Sequence, residues 1–190
     1  MYSCINLSPI INIGYKKINS FNQIDIFKSN SLVICDIDNT LLYWNKKPEE
    51  LYYLVEEFSP NCDEETKKKE ANEFLNMYKV IKPPSHTDMD GFSNLLNKLE
   101  KNNGKILFLT ARTKSNAESW TKKNFNSIGL EYDKYEVHYT DNVITKGEYI
   151  KNNIQIDKYS QVIFIDDYDT YIKSVLDIFP EIICYKFEIK

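Results

Sequence analysis

Long apolar runs are missing from this sequence. No segment approaches the roughly 18 consecutive apolar residues that a membrane-spanning helix requires. A leader-like start is missing too. The opening MYSCINLSPIINIGYKK has no basic head before its short apolar stretch, and Pro9 and Asn12 interrupt that stretch, so it does not read as a signal peptide. Cysteine pairs are absent. Cys4, Cys35, Cys62 and Cys184 form no CxxC, which removes the usual scaffold of a zinc site. Cys35 and Cys184 sit inside apolar runs and read as buried free thiols. Positive charge is in deficit: Lys and Arg number 24 against 28 Asp and Glu, for a net charge of -4. That balance gives no support for a nucleic-acid partner. The expectation is a soluble, cytoplasmic protein with no membrane contact and no disulfide framework.

What is present is a core. Apolar residues make up 42% of the 190 and aromatics 14%, enough for one domain with room for a modest insertion. Short apolar runs recur at Ser31–Cys35, Lys105–Leu109, Tyr135–Tyr139, Gln161–Ile165 and Ile182–Phe187. Their length, their bounding polar residues and their Val, Ile and Phe content predict buried parallel strands. Helical periodicity lies between them, over Asp90–Lys101, Ser115–Ile128, Lys146–Asn153 and Thr170–Phe179. Asn103–Gly104, Gly129 and Pro180 punctuate the ends. This alternation predicts an α/β fold, with a parallel central sheet of about five strands between helical layers.

One stretch breaks the alternation. Between about Tyr43 and His86, Glu49–Phe58 and Glu64–Ile81 both read as helices, and Pro83 and Pro84 end the excursion. This is expected to be a small helical insertion, residues 43–86, on the sheet's C-terminal edge, the edge where ligands bind in open α/β sheets. Residues 31–42 and 87–190 form the expected core. Residues 1–30 are expected to pack on it as an N-terminal extension, as an edge strand or otherwise.

The chemistry concentrates at strand ends. Asp36-Ile37-Asp38-Asn39-Thr40-Leu41-Leu42 follows the first strand. Two carboxylates two residues apart repel unless a cation lies between them, and a few carboxylates with waters and a phosphate suit magnesium. Leu107-Phe108-Leu109-Thr110-Ala111-Arg112 follows the second strand, where the Thr110 hydroxyl and the Arg112 guanidinium could bond phosphate oxygens. Lys146-Gly147-Glu148 opens a helix, and a cation is disfavoured there without a partner. Asp166 and Asp167 follow the fourth strand and could complete a metal site. Each signal alone has an ordinary reading as a cap, a turn or a solvated residue. Their order points to one cleft.

Taken together, LVICDIDNTLL, FLTAR, TKGE and FIDDY resemble the four motifs of the haloacid dehalogenase (HAD) superfamily of phosphatases and phosphotransferases, over about residues 31–187. The resemblance implies a Rossmann-like three-layer sandwich and a Mg²⁺-dependent phosphomonoester hydrolase. It implies Asp36 as a nucleophile forming an aspartyl phosphate, and Asp38 as the acid and base. Thr110 and Lys146 would hold the phosphoryl oxygens, with Arg112 beside them. The Asp36 carboxylate, the Asp38 carbonyl and Asp167 would hold the metal, with Asp166 behind them or as an alternative ligand. The insertion would be a small cap shaping the pocket, with Tyr43, Trp44 and His86 near its hinges, where core packing is their favoured task. One position departs from the family pattern: Tyr171 stands where many members carry an acid or Asn, and Asp169 is out of register. The substrate stays open between a small phosphate ester and a macromolecular one. A basic groove of Lys114, Lys122 and Lys123 would favour a nucleic-acid end. A catalytically silent protein of the same fold is the third alternative.

Overall fold

The six-stranded sheet at the centre of this computed structural model runs Tyr15–Ile18, Ile183–Phe187, Gln161–Asp166, Ser31–Cys35, Lys105–Thr110, Glu136–Tyr139 from edge to edge, and every pairing in it is parallel. The structure describes residues 14–26, 28–44, 55, 57 and 60–189, apart from the side chains of Asn76 and Val80. The strands are β1 Tyr15–Ile18, β2 Ser31–Cys35, β5 Lys105–Thr110, β6 Glu136–Tyr139, β7 Gln161–Asp166 and β8 Ile183–Phe187. A two-stranded antiparallel ribbon joins β3 Leu42–Tyr43 to β4 Ser85–His86. The described helices are α1 Glu64–Ile81, α2 Met89–Lys101, α3 Lys114–Ser127, α4 Lys146–Asn153 and α5 Asp169–Leu176.

Side-chain alternation builds two cores from one sheet. On β2, Val33 and Cys35 enter a cluster with Phe92, Leu95, Leu99 and Phe125 of α2 and α3. Leu32 and Ile34 enter the opposite cluster with Ile150, Ile172 and Val175 of α4 and α5. Both faces of the sheet are therefore covered, and every β2 side chain is buried. The result is a Rossmann-like three-layer α/β sandwich. From β2 the chain runs to β5 and β6 on one side, then returns to β7 and β8 on the other. Such a switch of direction opens a crevice at the strands' C-terminal ends.

Among the described residues the expected strands and helices are present, within a few residues at their ends. The sheet has six strands rather than about five, because Tyr15–Ile18 lies along β8 as a parallel edge strand. Its signal is weak in the sequence: Lys16 and Lys17 are exposed and only Ile18 is buried, as suits an edge that must repel further pairing. The predicted helix over Thr170–Phe179 stops at Leu176, and Phe179 closes the turn beyond it through its N–H to the Val175 carbonyl. The helix over Glu64–Ile81 has its predicted bounds. The one over Glu49–Phe58 falls, apart from Val55 and Glu57, outside the described residues.

The ribbon β3–β4 closes the excursion between β2 and α2 at its base. Trp44 is buried there and donates from Nε1 to the Lys82 carbonyl at 3.1 Å. His86 packs against Phe21 and Phe92. Of the three residues near the hinges, Trp44 and His86 are therefore packed. No helix among the described residues is long and apolar enough to cross a membrane.

Candidate functional site

Asp36 leaves the end of β2 with its N–H bonded to the Ile165 carbonyl of β7 at 2.9 Å. Its carboxylate is thereby held at the sheet's C-terminal edge. The strand does not continue through Asp38, as simple alternation would have it. Asn39 adopts a left-handed backbone, with φ at 58°, which Asn tolerates better than most residues. Its N–H reaches the Leu42 carbonyl at 2.7 Å. This tight loop brings Asp38 round to the same cleft as Asp36.

Lys146 is the first residue of α4, and its side chain is fully buried. Thr145 and Glu148 cap the helix reciprocally, the local logic of a capping box. The Lys146 ammonium bonds Asp36, and it bonds Asp166 Oδ2 at 2.6 Å. Its position is made possible by Gly147, where a Cβ would lie 1.9 Å from the Ser174 carbonyl oxygen. Only a glycine lets α4 press this closely on α5. The Tyr171 ring lies 4.6 Å from the ammonium, within cation–π range. The residue that departs from the family pattern thus faces the buried lysine. Asp169 is turned away, bonded to Tyr15 and Lys186.

Three carboxylates, Asp36, Asp166 and Asp167, bring oxygens within 4.8 Å of one another. Burial pushes the Asp36 carboxyl up, with Asp166 and Asp38 adding to the effect and Lys146 opposing it. Burial raises Asp166 and Asp167 in the same way. On Lys146, burial alone would lower the ammonium's pKa, but Asp166 and Asp36 hold it above its ordinary value. One ammonium does not balance three carboxylates, and a divalent cation with oxygen ligands fits this donor set. Asp166 is already engaged on both oxygens, by Lys146 and by the Tyr168 N–H at 2.9 Å. Asp36 and Asp167 are therefore the better-placed ligands. The Asn39 side chain hydrogen-bonds Asp167.

Arg112 is paired with a carboxylate in the same cleft. Its guanidinium grips Asp38, Nε to Oδ2 at 2.8 Å and Nη2 to Oδ1 at 3.1 Å. Its third arm donates to Thr121 Oγ1 at 2.8 Å, and its plane lies 4.0 Å from the Trp120 ring centroid. Lys79 of α1 donates to Asp38 Oδ1 at 2.8 Å. Burial would raise the Asp38 carboxyl, but Arg112 and Lys79 together hold it well below the usual carboxylate range. Thr110 is buried at the end of β5 beside the cleft, and its Oγ1 accepts the Arg112 N–H at 3.2 Å.

Asp36, Asp38, Thr110, Arg112 and Asp167 all line one cleft of 840 Å³. Lys146 and Asp166 lie beneath its floor. Lys79, Asn39 and Trp120 belong to the site and were not singled out for it in the sequence. Lys79 is hidden among the apolar residues of α1, and nothing local marks it as a partner of a carboxylate 41 positions away. Of the three lysines named for a basic groove, Lys122 is paired with Asp133 and Lys114 lies 4.0 Å from Glu118.

The family described as "Protein of unknown function (DUF2608)" matches residues 15–154. No curated protein matches the chain. Among solved structures, the chain is similar to a HAD-superfamily hydrolase from Ehrlichia chaffeensis at 18% identity, over 84% of this chain and 87% of that one, with a TM-score of 0.48. It is similar to a hydrolase from Streptococcus pneumoniae TIGR4 at 15% identity, over 86% and 94%, with a TM-score of 0.48. A beta-phosphoglucomutase candidate from Thermotoga maritima is similar at 15% identity, over 78% and 81%, with a TM-score of 0.49. Nothing about the reaction follows from overlaps of this size.

Proposed function

The chain belongs to the DUF2608 family, and we propose that it is a Mg²⁺-dependent phosphomonoester hydrolase working through an aspartyl phosphate on Asp36. The observation that carries this reading is the buried ammonium of Lys146 bridging Asp36 and Asp166 at the end of the central strand, with Asp38 and Asp167 facing the same cleft. The four sequence motifs that resemble the HAD superfamily fall on these residues.

In the proposed reaction the Asp36 carboxylate attacks phosphorus. An Asp36 oxygen–phosphorus bond forms while the ester bond breaks, and the leaving oxygen takes a proton from solvent, balanced by the proton that Asp38 gives back to solvent after the second half. Water then attacks phosphorus, the bond to Asp36 breaks, and inorganic phosphate departs. Asp38 accepts the water's proton in this second half. Held as a carboxylate by Arg112 and Lys79, it is in the form this step needs. Lys146 and the Thr110 hydroxyl would hold the phosphoryl oxygens, Lys146 through the Asp36 carboxylate that it bonds. Asp36 and Asp167 would hold Mg²⁺, with the Asp38 carbonyl as a further ligand. The metal would supply Lewis-acid stabilisation of the phosphoryl oxygens.

The test is hydrolysis of p-nitrophenyl phosphate with Mg²⁺, then EDTA, then excess Mg²⁺. Activity that EDTA stops and Mg²⁺ restores supports the reading. Hydrolysis that persists in EDTA removes the metal from it.

A further inference from the structure

We propose that the cleft selects phosphomonoesters whose leaving group is a flat apolar ring with no second anionic group. The inference rests on the phosphohydrolase reading and names its substrate class. It starts from the walls of the cleft. Met77 and Ile81 of α1, Trp120 of α3, Tyr168 just before α5 and Tyr171 of α5 line it together with the carboxylates of Asp36, Asp38 and Asp167. Met77 is 56% exposed, Ile81 71% and Tyr168 56%. Three large side chains are thus held in water around one opening. An apolar patch of that kind, continuous with a polar floor, marks a ligand groove more than a solvated surface.

Charge points the same way. The only cations among the described lining residues are Lys79 and Arg112, and both are spent on Asp38. Lys146 is buried below the floor and spent on Asp36 and Asp166. Glu73 adds a negative charge to the wall. A second phosphate or a carboxylate on the substrate would lose its hydration without gaining a cation. A ring against Met77, Ile81 or Trp120 would instead cover apolar surface. Asn116 and Asn142 leave room on the lining for a neutral polar substituent.

The experiment compares benzyl phosphate, glucose 6-phosphate and 4-carboxybenzyl phosphate, with Mg²⁺ present. All three release a primary alcohol, so differences read the cleft more than the intrinsic reactivity of the ester. The expected result is a kcat/KM for benzyl phosphate at least about tenfold above each of the others, the scale on which apolar pockets discriminate. Met77→Ser with Ile81→Ser should erase most of that preference through KM. Val143→Ser, at an exposed apolar residue that does not line the cleft, should leave it unchanged. Equal or better turnover of glucose 6-phosphate or 4-carboxybenzyl phosphate overturns the inference and leaves the hydrolase standing. No turnover of any ester, by a chain that also fails to bind beryllofluoride at Asp36, overturns both.

Discussion

Asp36, Asp166 and Asp167 share one electrostatic problem, and it sets their pH behaviour. Burial holds their carboxyls above the ordinary range, to about 7, about 6 and about 7. A raised folded-state value means that the folded chain binds these protons more tightly than the unfolded one. The stability so gained is complete below the ordinary carboxylate range near pH 4 and is lost as pH rises through about 6 to 7. Metal-free protein should therefore melt at a lower temperature at about pH 8 than at about pH 5.5, and Mg²⁺ should remove most of the difference. Thermal melts with EDTA and with Mg²⁺ check this, and a flat metal-free profile would contradict it. Asp38 runs the other way. Its depressed value keeps its contribution intact across that window, to be lost only in strong acid. Arg112→Lys should cost about 2 kcal/mol in chemical denaturation, because lysine cannot keep two bonds to Asp38, one to Thr121 and the stack on Trp120.

Between elements, the contact that most directly sets the site is α4 against α5. Gly147→Ala would force a Cβ into the Ser174 backbone. The expected cost is about 1–3 kcal/mol, as for other overpacked contacts. The same shift should move Lys146 off Asp36, so activity should fall together with stability. Retained stability and activity would mean that the two helices part freely. The helix α1 carries a small apolar cluster around Ala71 and Leu75 and meets Asp38 through Lys79. Lys79→Met should speed amide exchange in Glu64–Ile81 several-fold while leaving β2 and β7 protected. That is the scale of a partly exposed ion pair near 1 kcal/mol.

Across the molecule, strands with a single continuous signal are legible in the sequence alone. SLVIC, KILFL and QVIFI are buried on both faces, and each reads as a run. The edge strand Tyr15–Ile18 was not legible as such, because it shows the sheet only one buried residue. The site followed the same rule. Asp36, Asp38, Thr110, Lys146, Asp166 and Asp167 stand at strand ends or a helix start, where topology alone brings them together. Lys79 and Trp120 depend on how α1 and α3 lean over the cleft, and the Arg112 grip on Asp38 depends on a side-chain direction that strand and helix patterns do not carry.

The whole account turns on Asp36 as the group that receives phosphorus. Steady-state hydrolysis of p-nitrophenyl phosphate with Mg²⁺ should be present in the wild type and abolished in Asp36→Asn, with an unchanged circular dichroism spectrum. Asp36→Asn activity above about a tenth of wild type, a loss of less than about 1.4 kcal/mol, would contradict it, because removing a nucleophile should cost far more.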